Sequence, residues 1–489
     1  MEENHICPIK KFLLEIENSK EFYIQQIPTS CLSQNAYYIE SKGQAVIIDP
    51  MRDIENYLDL LEKRNANLIY IFETHFHADF VSGHFDLSKK TGAKIIFGPK
   101  VNISKEIISA NDNQIFQIGN IKLKVIHTPG HTMESICILL IDQNETEKAL
   151  FSGDTIFLGD VGRPDLAVDG GRNLTEIDLA NFLWESIQKV KTLNEDLIIF
   201  PGHGAGSACG KNITAGIGDT LKNQKLRNYA LSNDMTKEEF VKIATSNLNK
   251  PLDYFFHDVK LNKEGYENID TLLEKIVKPL KFEDFMKLTE GKNTYVIDTR
   301  LGEDFTKGFF KGSYGISLKM TYAIWVATLF KPENELLLIT EPGKEKESII
   351  RLFRVGYYNI LGYLDGGFEN FMKENKTPEN LCKVPRLDYD ETRKMFEEKK
   401  LDLVDVREIK EYESSGIVEN SHLFPLGNLE NKIEEIKNIK NPIGLYCKSG
   451  ARAVIASSIL KKYGFENIFI SGGFDFIKDK GFKCVKYQK

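Results

Sequence analysis

The chain has 489 residues, 42% of them apolar, and a formal net charge of -7, a length that predicts about three domains, each large enough to bury a core. The acidic balance lacks the basic stripe of a nucleic-acid binder, and no apolar run approaches the length of a membrane span. Seven cysteines, an odd number without regular spacing, argue against a disulfide framework and for a reducing compartment; with no apolar signal core at Met1 to Pro8, the expected location is the cytoplasm.

In chain order, the first chemistry-bearing elements are short apolar runs that end in histidine or aspartate. Ala45-Val46-Ile47-Ile48 reads as a strand closed by Asp49, and Leu68-Ile69-Tyr70-Ile71-Phe72 as a buried strand that delivers Thr74-His75-Phe76-His77-Ala78-Asp79-Phe80. Leu123-Lys124-Val125-Ile126 alternates like a strand and leads into His127-Thr128-Pro129-Gly130-His131, where Pro129 and Gly130 force a turn. Lys148-Ala149-Leu150-Phe151 ends in Ser152-Gly153-Asp154, and Leu197-Ile198-Ile199-Phe200 ends in Pro201-Gly202-His203-Gly204. One such loop alone is ordinary turn chemistry. Four together are what a metal pocket built on sheet-edge loops requires.

Two neighbours of these loops stay open. Arg163 reads either as a residue that orients substrate or ligands, or as a solvated loop arginine; Cys209 reads either as a thiol reaching the metal pocket and taking up sulfur, or as a small loop residue. The stretch Gly204 to Lys211 mimics a phosphate-binding loop but fails its pattern at Ala205 and Asn212. His5, His84, His257 and His422 fall outside every motif and are expected at the surface or in packing, and Cys7, Cys31, Cys137, Cys382 and Cys484 carry no assigned role.

Asp49, His75, His77, Asp79, His131, Asp154 and His203 together resemble the ordered motifs of the metallo-β-lactamase fold, a four-layer αββα sandwich, over about residues 20 to 265. The loops at His131 and His203 resemble its glyoxalase II and persulfide dioxygenase branch. Binuclear hydrolases of the glyoxalase II kind carry a further histidine where this chain has Phe80, which cannot ligate, so one metal is expected rather than two. By resemblance to the persulfide dioxygenases, His75, His131 and Asp154 are the ligands, with His77, Asp79, His203 and Asp49 around them. Two histidines and one carboxylate form the non-heme Fe(II) facial triad, which leaves positions for a substrate sulfur and dioxygen; zinc fits the same donors but supports only hydrolysis.

Beyond a charged helical stretch near Asp219 to Leu248, the pattern becomes a repeat of about 107 residues: Val296-Ile297-Asp298-Thr299-Arg300 matches Leu403-Val404-Asp405-Val406-Arg407, and Leu364-Asp365-Gly366-Gly367-Phe368 matches Ile470-Ser471-Gly472-Gly473-Phe474. Alternating strands and helices predict a small α/β domain for each copy. In the second copy a strand, Ile443 to Tyr446, runs into Cys447-Lys448-Ser449-Gly450-Ala451-Arg452 ahead of a helical run. A cysteine before a helix N-terminus, with Lys448 and Arg452 beside it, favours a nucleophilic thiolate. The loop resembles that of the rhodaneses, whose cysteine carries a sulfane sulfur as a persulfide. Aligned on the Gly-Gly pairs, the first copy has Glu341 in place of the cysteine and Pro342 in place of Lys448, so it is expected to be inactive and structural.

The whole order resembles the bacterial multidomain persulfide dioxygenase/sulfurtransferases: a dioxygenase domain over 1-265, an inactive rhodanese-like domain over 270-378 and an active rhodanese domain over 385-489. That resemblance implies one Fe(II) per chain, a low-molecular-weight thiol persulfide and O2 as substrates, and sulfite as the product that Cys447 converts to thiosulfate. It also implies a homo-oligomer, with no nucleic-acid or membrane partner. The alternative is a glyoxalase II-like zinc thioester hydrolase fused to a sulfurtransferase.

Overall fold

The structure is a computed structural model that describes residues 9, 10, 12, 13, 21–101, 103–166, 174–248, 250–319 and 321–488. His5 and Cys7 lie outside the described residues. The chain divides into two compact units, residues 1–269 with 353–356, and residues 270–352 with 357–489. Among the described residues no helix is long and apolar enough to cross a membrane.

The first unit is built on two six-stranded sheets. In one, β1 (Tyr23–Thr29), β2 (Gln34–Ser41), β3 (Gln44–Ile48), β4 (Asn67–Phe72), β5 (Lys94–Phe97) and β6 (Ile108–Ser109) lie side by side in chain order. The other comprises β7 (Ile115–Ile118), β8 (Ile121–His127), β9 (Ile136–Ile141), β10 (Glu147–Gly153), β13 (Ile198–Pro201) and β14 (Asp219–Thr220). A separate two-stranded ribbon pairs β11 (Ile156–Phe157) with β12 (Asp160–Val161). The strands are rich in isoleucine, valine and aromatics, which suit a pleated surface buried on both faces.

Period-two alternation sorts each strand's side chains between two cores. Val46, Ile48 and Phe72 meet Val125, Ile138 and Phe151 between the sheets. The stacked rings of Phe151 and Phe200, 5.4 Å apart, and Tyr37 at 5.0 Å from Phe151 fill that layer next to the strand ends. On the outer faces, Ala45, Ile47 and Ile71 pack with Tyr57 and Leu61 of the helix Glu55–Arg64, and Leu139, Leu150 and Ile199 with Leu183 and Ile187 of the helix Glu176–Lys191. The latter helix starts with a capping box between Thr175 and Asp178. Helices outside and sheets inside make the expected αββα sandwich.

The second unit repeats one topology twice. The first copy has β15 (Pro279–Leu280), β16 (Thr294–Asp298), β17 (Phe309–Phe310), β18 (Ser313–Gly315), β19 (Glu335–Ile339), β20 (Ile360–Leu364) and β21 (Leu381–Cys382). The second has β22 (Asp402–Asp405), β23 (Ile417–Val418), β24 (His422–Leu423), β25 (Ile443–Cys447), β26 (Ile468–Gly473) and β27 (Cys484–Val485). Their parallel sheets run β15-β20-β19-β16-β18 and β26-β25-β22-β24, the same order, and a bridge from Arg386 to Ile470 stands where β15 pairs β20. Each copy also carries an antiparallel ribbon, β17 with β21 and β23 with β27.

Strand register corrects one sequence expectation. Asp298 pairs with Ile339, and the equivalent Asp405 with Tyr446, so Thr340, not Glu341, stands opposite Cys447. Gly343 and Gly450, both with positive φ, then coincide one turn later, and Pro342 matches Ser449 rather than Lys448. The two copies differ by one residue between the cysteine position and the Gly-Gly pair, which spacing counted back from the glycines cannot reveal. In either register the first copy has no thiol at the position of Cys447.

Candidate metal centre and sulfur-transfer loop

All five loops that the first unit's strands deliver meet at one end of the sandwich. Asp49 directly follows β3 with φ +51°, a left-handed conformation that costs a non-glycine residue energy and places its carboxylate under the β4 loop. There Asp49 accepts the Thr74 amide at 2.7 Å and the Thr74 hydroxyl at 2.8 Å. With its only proton spent on Asp49, the Thr74 oxygen accepts from Nδ1–H of His75 at 3.0 Å, which leaves the His75 Nε2 lone pair free. His131 is fixed the same way: its Nδ1–H donates to the Arg163 carbonyl at 2.9 Å, so its Nε2 is also a lone-pair donor.

These two nitrogens converge on Oδ2 of Asp154, His131 Nε2 at 3.5 Å and His75 Nε2 at 3.9 Å. All three residues are buried, and neither His75 Nε2 nor Asp154 Oδ2 has a hydrogen-bond partner. Desolvated, unpaired lone pairs are costly unless a cation lies among them. Burial, then the charge of His77, holds the His75 pKa well below its ordinary value, so the ring is neutral. Burial alone would raise Asp154, but the charge and hydrogen bond of His203 hold its carboxyl well below the usual range. A neutral imidazole at His75 and an ionised carboxylate at Asp154 are protonation states that a metal requires. The donor set fits one divalent ion.

His203 is placed differently. Its Nδ1 meets Asp154 Oδ1 and its Nε2 meets Asp79 Oδ2, each at 2.8 Å, and these two carboxylates outweigh burial to raise its pKa well above 6.5. Both ring nitrogens are therefore donors, and His203 orients Asp154 instead of offering a lone pair. Cys209 lies in one cluster with Asp79 and His203, and burial, then Asp79 and Asp154, push its thiol up. Phe80 is fully buried with its ring 4.2 Å from that of His77.

His77 faces away from the three converging atoms, toward Asp49 at 3.1 Å and Glu73 at 3.4 Å. Burial would lower its pKa, yet Asp49 and Glu73 raise it to about 10. Glu73 also meets His84 Nδ1 at 3.2 Å, so His84 is not a surface residue but part of this buried charge network. The network was missed in the sequence because Glu73 ends an apolar strand outside any motif. Asn262, on the helix Tyr254–Glu264, was missed too: its side chain donates to the carbonyls of His77 and Phe80 at 2.9 and 2.8 Å and accepts the Ser82 amide, clamping the ligand loop.

Arg163 spends its guanidinium on Asp165, two bonds of 2.6 Å, while its carbonyl orients His131. Lys211, in the phosphate-loop mimic, points its ammonium at the carbonyls of Ile243, Ala244 and Ser246, closing the end of the helix Lys237–Thr245. Glycines make room for these approaches: a Cβ on Gly162 would sit 2.0 Å from the Asp154 carbonyl and 3.0 Å from His131 Nδ1. Thr74→Val, which keeps shape but removes the hydroxyl bridge to His75, is expected to weaken metal binding about 10- to 100-fold, measured as retention against a competing chelator.

In the second unit Cys447 closes β25, 1% exposed, with Sγ accepting the Gly450 amide at 3.1 Å. The helix Ala451–Lys462 starts immediately after Gly450, whose φ of +92° suits glycine alone. Arg452 is held by both oxygens of Glu411, so part of its charge is already answered, a partner the sequence did not suggest. Lys448 is exposed. Arg407 forks onto Asp405 and stacks 3.6 Å over Phe474; Arg300, Asp298 and Phe368 repeat that unit in the first copy.

Comparison with known proteins places both ends of the chain in known families. Residues 29–101 match the Metallo-beta-lactamase superfamily and residues 388–480 the Rhodanese-like domain family. A crystal structure of a metallo-beta-lactamase from Staphylococcus aureus superposes with a TM-score of 0.62 at 30% identity, covering 70% of this chain and 98% of that one. The chain belongs to the metallo-beta-lactamase superfamily and carries a rhodanese-like domain toward its C-terminus. It is 32% identical over 178 residues to a hydroxyacylglutathione hydrolase of Pelagibacter ubique, covering 35% of this chain and 68% of that protein. For the hydroxyacylglutathione hydrolase of Prochlorococcus marinus the identity is 32% over 153 residues, 30% of this chain and 59% of that protein, so part of each relative has no counterpart in the match.

Proposed function

We propose that the protein is a non-heme Fe(II) persulfide dioxygenase coupled to a rhodanese sulfurtransferase, with its three domains over 1-265, 270-378 and 385-489. The observation that carries the reading is the donor set of His75, His131 and Asp154, two imidazoles and one carboxylate in which His75 Nε2 and Asp154 Oδ2 are buried and unpaired, while both ring nitrogens of His203 are taken up by Asp154 and Asp79 and the apolar Phe80 cannot ligate. Iron held there would supply open positions for a thiol persulfide and O2 and the redox change that joins them.

The overall reaction takes a thiol persulfide, O2 and water to the free thiol and sulfite. This chain's contribution is positional. Asp49 and Thr74 fix the His75 tautomer, the Arg163 carbonyl fixes that of His131, and the His203 imidazolium, held by Asp79, fixes the Asp154 rotamer. Burial excludes bulk water from the donors. In the second unit Cys447 accepts the outer sulfur of a persulfide, and sulfite then removes it as thiosulfate, returning the thiol. Tethering the two sites raises the effective concentration of the shared intermediate.

The test is oxygen uptake by iron-loaded protein on addition of a thiol persulfide, with sulfite and thiosulfate quantified at the end. Absence of uptake with several persulfides despite bound iron would sink the proposal. The second reading is a zinc thioester hydrolase fused to a sulfurtransferase; identity with the hydroxyacylglutathione hydrolases favours it. Thioester cleavage by the zinc-loaded protein, without oxygen uptake by the iron form, would establish it.

A further inference from the structure

Within the second unit, the two α/β copies border a groove of about 450 Å3 whose walls include Glu303 and Lys319 of the first copy, Arg386 of the connecting segment, and Ser449, Gly450 and Ala451 of the second. The groove therefore ends on the sulfur-transfer loop, at the residue whose amide touches the Cys447 sulfur. Its volume far exceeds what a sulfite or a lone sulfur atom needs, but suits a small organic carrier. Lys319, Arg386 and Glu303 are exposed, and none has an ion-pair partner among the described residues. Nearby charges differ: Lys307 is paired to Asp304, Lys344 to Glu347 and Arg452 to Glu411. Two uncommitted cations and one uncommitted carboxylate remain around one groove.

We propose that this groove is the carrier-binding site for sulfur transfer and takes an amino-acid or peptide thiol persulfide that bears both acid groups and an ammonium. Lys319 and Arg386 hold the acid groups, and Glu303 meets the ammonium. A thiol bearing phosphates and no ammonium would be disfavoured, because its charge faces Glu303 without compensation. The inactive copy is thereby part of the site: it supplies two of the three charges. The inference rests on the sulfurtransferase reading of Cys447. In the step itself, the Cys447 thiolate attacks the outer sulfur of the bound persulfide. A bond forms between Sγ and that sulfur, the carrier's own S–S bond breaks, and the carrier departs as a thiolate with the electron pair. No outside oxidant or reductant takes part.

The experiment uses the full chain with three donors, glutathione persulfide, coenzyme A persulfide and the uncharged persulfide of 2-mercaptoethanol, and follows sulfur loading on Cys447 by mass spectrometry over a range of donor concentrations. Glutathione persulfide is expected to half-saturate at the lowest concentration. The double variant Lys319→Ala, Arg386→Ala is expected to reduce its advantage over the uncharged donor by about tenfold, and Glu303→Lys to shift preference toward coenzyme A persulfide. An unchanged donor preference in both variants, with Cys447 still loading, would overturn the groove assignment alone. No sulfur on Cys447 from any donor would overturn both the groove and the sulfurtransferase reading.

Discussion

Asp154→Asn is expected to empty the first unit's metal centre and to reduce oxygen uptake by about a thousandfold, the loss of several kcal/mol of metal-derived stabilisation. The variant is nearly isosteric, so the cause is charge. Asp154 Oδ2 is the point on which His75 and His131 converge, and a neutral amide there brings no negative charge to a divalent ion. His203 would keep Asp79 but lose its second carboxylate, and breaking a buried ion pair costs on the order of 3 kcal/mol. Metal content by elemental analysis, oxygen uptake, and the melting temperature separate these effects. Sulfur loading of Cys447 in the same chain serves as the internal control: a collapse of both activities would indicate misfolding, and retained iron with normal uptake would contradict the assignment of Asp154.

Cys447→Ser should leave oxygen uptake intact and lower thiosulfate formation by at least about a thousandfold, so that sulfite accumulates instead. A serine oxygen still accepts the Gly450 amide, and the side chain is almost fully buried, so stability should change little. What disappears is the sulfur nucleophile. The result is read as the ratio of sulfite to thiosulfate after complete oxygen consumption, together with the absence of a one-sulfur mass increase on the protein. Thiosulfate released at the normal rate would show that Cys447 is not the carrier and direct attention to Cys209, which clusters with Asp79 and His203.

Much of the first site was legible in the sequence because each converging residue sits at the end of a short apolar strand. Parallel and antiparallel pairing of those strands brings their ends to one edge whatever the details of packing. β4, β8, β10 and β13 were readable as short apolar runs within two residues of their observed limits. The repeat was legible for the same reason, since Asp298/Asp405, Arg300/Arg407 and the Gly-Gly pairs recur along the chain. The residue equivalent to Cys447 was not, because a single-residue difference between the copies shifts any count made from the glycines, and only strand register identifies Thr340.

The sequence by itself determined which loops would carry the histidines, carboxylates and thiol, and which copy of the repeat holds a nucleophile: these depend on strand periodicity and residue identity, both local. Tertiary structure decided who partners whom. It made His203 a doubly bonded cation, drew Glu73 and His84 into a buried network with His77, set Asn262 as a clamp on the ligand loop, and gave Arg452 to Glu411. Apart from the contacts of Glu73 with His77 and His84, those pairings join residues 41 to 185 positions apart. Their energies depend on burial and distance in the folded chain, and no spacing along the sequence encodes either.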